Sequence, residues 1–129
     1  MKYKHFDELV NLNRIDGVNV EEVQYHIHGL VQKIVLEPSS PSIKLFVHIV
    51  GKIKSKQKVS VFSNDSFKWL ESEYRKDPSN FMLVFIYAMS LKEQGDGIRS
   101  QHLLKKLNYS GWKDKELIND CLESIDKAG

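Results

Sequence analysis

Two histidines one residue apart, His26 and His28, are the first side chains along the chain whose type and spacing could do chemistry. On a β-strand both imidazoles would point the same way and could share a metal ion, given a third ligand. His48 is the nearest further histidine, but the expected strand register sets it opposite Gln32, several residues from His28. The three do not converge, so no metal site is predicted and the pair is read as solvent-facing. Cys121 could serve as a nucleophile beside a base. It falls in the apolar stripe Leu117, Ile118, Cys121, Leu122 and Ile125, where a cysteine acts as a small hydrophobe.

The acids offer no catalytic pair. Glu71, Glu73, Glu116, Asp120 and Glu123 fall at positions that read as solvated helix faces. An α-β-β-β-α order loosely resembles some nuclease cores, but these need acids on the strands to hold a metal, and the second and third strands expected here have none. Gly95-Asp96-Gly97 lacks the further glycines and the Lys-Ser/Thr of a phosphate-cradling loop. The last two helices have the spacing of a helix-turn-helix, yet the second presents Asp114, Glu116, Asp120, Glu123 and Asp126, which duplex phosphates would repel. No catalytic residue, metal or cofactor is expected.

Charge placement is more informative. Between Pro38 and Asn64 stand five lysines and no acid, whereas residues 1–37 carry four Lys/Arg against six Asp/Glu and residues 65–129 ten against eleven. Lys52, Lys54, Lys56 and Lys58, with His26 and His28, form the expected partner-binding surface. Lysines beside aromatic rings such as Phe46 and Phe62 are what single-stranded nucleic acid binders use. Against that reading, 16 of the 19 basic residues are lysines, where nucleic-acid recognition favours arginine. Lysines on an edge hairpin also have a plainer use, since they block edge-to-edge strand pairing.

The elements that would position these groups are read from periodicity. Val23, Tyr25, Ile27, Val31 and Val35 occupy odd positions, as do Ile43, Leu45, Val47, Ile49 and Ile53. Alternation of β-branched and aromatic residues predicts strands with one buried face. The loop Glu37 to Ser42, with Pro38 and Pro41, would close a hairpin between them. A third strand over Lys58 to Asn64 would complete a three-stranded antiparallel meander at about residues 20–64. Before it, Lys4 to Asn13 reads as a short helix. After it come three to four helices packed on the sheet: one from the cap-rich Ser63-Asn64-Asp65-Ser66 to Lys76, one opened by Asp77-Pro78 and closed by Gly95, one near Arg99 to Leu107, and one over Asp114 to Lys127. The run Phe81 to Met89 suits a central helix or a buried strand, and its flanking caps favour the helix.

These elements make an α+β fold in a single domain over residues 1–129, long enough for a core without covalent staples. One cysteine precludes an internal disulfide and fits a reducing compartment. The first residues do not read as a signal peptide, and Phe81 to Met89 is too short to span a membrane. The expected setting is cytoplasmic, and the lysine, isoleucine and asparagine content fits an AT-rich bacterial or phage genome. The expected function is a non-enzymatic protein-binding module of the inhibitor, immunity or regulatory type, meeting an acidic partner through the basic end of the sheet. The alternative is a single-stranded nucleic acid binder using the lysine and aromatic face.

Overall fold

In the computed structural model, which describes residues 20–36, 46–48, 50–51, 60–109, 116 and 118–120, every regular element is a helix. The α+β fold with its three-stranded antiparallel β-sheet is therefore wrong. The chain divides into two compact units, Met1–Asn64 and Asp65–Gly129.

In the first unit the expected first strand is a helix, α1, at Val20–Leu36. Its buried residues are Val23, Ile27, Leu30, Val31, Ile34 and Val35, stepping by three and four as one helical stripe does. Tyr25, assigned to the same buried row in a strand, is 68% exposed. The error has a simple origin. Residues 23, 27, 31 and 35 are four apart, and an even step keeps one face of a strand while also advancing only about 40° around a helix. Leu30 and Ile34, placed on the opposite face of the strand, complete the stripe. Glu21 and Glu22 in the first turn and Lys33 in the last suit the helix dipole.

The expected second strand is overturned too, since Phe46, Val47, His48, Val50 and Gly51 are helical. In the expected third strand, residues 60–63 form no strand, and Asn64 already begins the next helix. Val61 and Phe62 are buried there, and the Phe62 ring lies 6.2 Å from that of Phe46. Gln24 Nε2 donates to the Ser60 carbonyl at 3.0 Å, tying α1 to this segment. The helix expected over residues 4–13, the proline loop at 37–42 and the turn at 54–56 lie outside the described residues.

The second unit contains three described helices of 13 residues each: α2 at Asn64–Lys76, α3 at Phe81–Glu93 and α4 at Gly97–Tyr109. The start of α2 falls in the cap-rich stretch singled out from sequence. The start of α3 does not fall at Asp77-Pro78. The Asp77 N–H closes the last turn of α2 on the Glu73 carbonyl at 2.9 Å, and Asn80 caps α3, its side chain accepting from the Leu83 N–H at 3.2 Å. Asparagine ranks with aspartate as an N-cap, and Asp77 is already committed to the preceding helix.

Helix α3 is the centre of this unit. Met82 through Ala88, Ser90 and Leu91 are buried, so it is covered on all sides. It ends where the sequence places Gly95, which has φ 86°. The Gly95 N–H reaches the Lys92 carbonyl at 3.0 Å and the Asp96 N–H the Leu91 carbonyl at 2.9 Å, a Schellman closure that needs the left-handed conformation glycine adopts without strain. Asp96 then caps α4 through its side chain, which accepts from the Arg99 N–H at 3.1 Å. Three residues thus join α3 to α4, and helices in contact across so short a connection run antiparallel. Leu103, Leu104 and Leu107 face inward from α4, in line with their spacing. Ser100 is buried there as well, and its hydroxyl donates to the Ala88 carbonyl at 2.6 Å. Ser90 likewise donates to the Tyr87 carbonyl at 2.7 Å, so neither buried hydroxyl is left unsatisfied. Beyond α4, Glu116, Ile118, Asn119 and Asp120 are helical, with Ile118 buried.

Candidate functional site

The sequence-predicted surface is not assembled as expected. His26 and His28 are half-buried on α1, and two residues along a helix turn about 200°, so they stand on different faces where a strand would have aligned them. Tyr25 meets the His26 ring edge-on at 5.1 Å. Lys52, Lys54, Lys56 and Lys58 lie outside the described residues, as does Cys121. No strand is present among the described residues, so the sheet whose end they were expected to form is missing there. Phe46 and Phe62, the rings offered for base stacking, are buried against each other. Among the described residues no three His, Cys, Asp or Glu side chains gather as a metal site would require.

Two arrangements in the second unit were missed from sequence. The first is a polar cluster around Tyr87, at the middle of α3. Its ring is fully buried, 6.0 Å from the Phe67 ring and 5.1 Å from that of Tyr74, both tilted against it. The hydroxyl donates to Glu71 Oε2 at 3.2 Å and accepts from Arg99 Nη2 at 3.1 Å. One phenol therefore links α2, α3 and α4. Burial pushes its pKa up, the Arg99 guanidinium pulls it back, and the Glu71 carboxylate adds to the rise. A phenol so placed keeps its proton at neutral pH, so its chemistry here is hydrogen bonding and not nucleophilic attack. Its partners are themselves held: Glu71 pairs with Arg75 at 3.5 Å and Arg99 with Asp96 at 3.7 Å. Glu71 and Glu73, read as solvated, are half-buried, and Glu73 pairs with Lys76 at 3.8 Å. A tyrosine inside a solidly apolar run was the available signal, because a buried hydroxyl must find partners.

The second arrangement is an apolar dent of about 60 Å³ lined by Tyr74, Pro78, Phe81, Val84, Lys106 and Leu107. It sits where the end of α2, the start of α3 and the end of α4 converge, as the antiparallel course requires. Phe81, the first residue of α3, is 39% exposed beside it, while Val84 and Leu107 are buried at its base. Lys106 makes no ion pair among the described residues. Part of its role is structural, since a lysine in the last turn of a helix offsets the dipole there. Elsewhere α4 exposes large apolar side chains at both ends, Ile98 and Tyr109.

No helix among the described residues is long and apolar enough to cross a membrane. The chain matches no protein-family model, no curated protein and no solved structure.

Proposed function

We propose that this chain is a non-enzymatic protein-binding module, one that acts by occupying a partner as inhibitor and immunity proteins do. The observation that carries this reading is the open apolar dent at the end of α2, α3 and α4, with the Phe81 ring standing partly in solvent beside it. A partly exposed aromatic beside a small apolar hollow is the kind of feature that anchors a protein interface. The polar side chains that do converge, Glu71, Tyr87 and Arg99, are engaged with one another across three helices, which suits a rigid scaffold. Five lysines without an acid between Pro38 and Asn64 favour an acidic partner.

The test is affinity capture on the full chain from cells that produce it, with analysis of both protein and nucleic acid in the eluate. One protein retained near equimolar ratio, with binding that weakens as salt rises, is the expected result. Retention of nucleic acid alone, or micromolar binding of mixed oligonucleotides with a steep salt dependence, would overturn it in favour of the single-stranded nucleic acid reading.

A further inference from the structure

The dent is specific enough in size and charge to name what it takes. Building on the binding-module reading, we infer that it receives a branched aliphatic side chain, Leu, Ile or Val, from an acidic segment of the partner, with Lys106 meeting a carboxylate next to that side chain. Size argues for the aliphatic tip. The hollow measures about 60 Å³, well under the roughly 150 Å³ cavity that takes up a benzene ring. A partner's aromatic ring exceeds the hollow and would stand partly in solvent above Val84 and Leu107, both buried. A branched aliphatic end fits and would lie beside Tyr74 and Phe81.

Charge argues for the acid. Among the described residues Lys106 is the one charged side chain lining the dent, and Lys105 precedes it; both are exposed. The acids nearby on α2 are already engaged, Glu71 with Arg75 and Glu73 with Lys76. Among the described residues Asp77, exposed beside Pro78, is the acid next in sequence to the lining, against Lys105 and Lys106 on α4. Five of these lining residues come from three helices and Pro78 from the short turn between two of them, so the hollow is formed before any ligand arrives.

The experiment is a methyl-NMR titration of the full chain with a blocked peptide carrying one leucine between glutamates. Its counterparts replace the leucine by alanine, the leucine by phenylalanine, or the glutamates by lysine. Saturable shifts at the Val84 and Leu107 methyls with the leucine peptide are expected, at least tenfold weaker with the alanine and lysine counterparts and weaker with phenylalanine. Lys106→Glu, an exposed change that leaves the core intact, should reverse the preference towards the lysine peptide. Absence of saturable shifts at those methyls, or equal binding by the alanine peptide, overturns the site. A cellular partner whose affinity is unchanged by both Lys106→Glu and Phe81→Ala also overturns the site, while leaving the binding-module reading in place.

Discussion

Helices α1 and α3 have similar ingredients and different surroundings. Both are rich in Val, Ile and Leu and both carry a tyrosine. Yet α1 buries six of its 17 residues along one stripe, while α3 buries nine of 13 and has no wet side. Their tyrosines show the contrast most sharply: Tyr25 is 68% exposed, and Tyr87 is sealed inside with its hydroxyl held at two points. A one-sided helix is specified by where its apolar residues fall. An all-round apolar helix is specified by its caps and by whatever partners its few polar atoms find.

The contrast can be broken by substitution. The largest effects should come from Ile27→Ala in α1 and Ile86→Ala in α3, both fully buried, at about 2–5 kcal/mol each in denaturant unfolding. A near-neutral Ile27→Ala would mean that the α1 stripe is not packed as described. Next is Tyr87→Phe, expected to cost about 0.5–1.5 kcal/mol by removing the hydroxyl that joins Glu71 and Arg99, each of which keeps its ion-pair partner. The same variant tests pH dependence. A phenol whose folded pKa lies above its unfolded value of 10.0 contributes stability that is intact below that pH and is lost as pH climbs through the folded value. Wild type should therefore lose stability more steeply than Tyr87→Phe above about pH 10. Parallel profiles would show that the hydroxyl is not buried as described.

Gly95→Ala should cost about 1 kcal/mol, read as a lowered melting temperature. Nothing lies within 4 Å of where its Cβ would sit, so the penalty is conformational and belongs to φ 86° alone. The smallest effect, within about 0.5 kcal/mol, is expected for Tyr25→Ala, because that side chain faces water. A loss there as large as that of Ile27→Ala would restore the period-two reading of this segment.

How much of this was legible from the sequence follows from the same pair of helices. The C-terminal helices were readable because their signals are local: the cap-rich start of α2, the glycine after α3, and leucines 103, 104 and 107 on α4. The meander was misread because β-branched residues four apart satisfy two periodicities at once. Gly29 and Lys33, the odd positions that interrupt the alternation, were the evidence against it. The dent and the Tyr87 cluster could not be seen, since residues such as Tyr74 and Leu107, or Glu71 and Arg99, meet only once three helices have been folded antiparallel. The lysines at 52–58 are legible because charge runs are visible in any fold; the surface assigned to them depended on a sheet of which the described residues contain no strand.

Asp96 belongs to two helices at once, since its N–H finishes α3 and its carboxylate starts α4. A joint with no slack leaves the second helix little choice of phase, so Ser100 arrives opposite Ala88 without a search. One extra residue inserted between Gln94 and Gly97 would separate those two duties and let the pair slide. Because partners here are only a dozen or so positions apart along the chain, this hairpin is suited to form early and to template what packs on it.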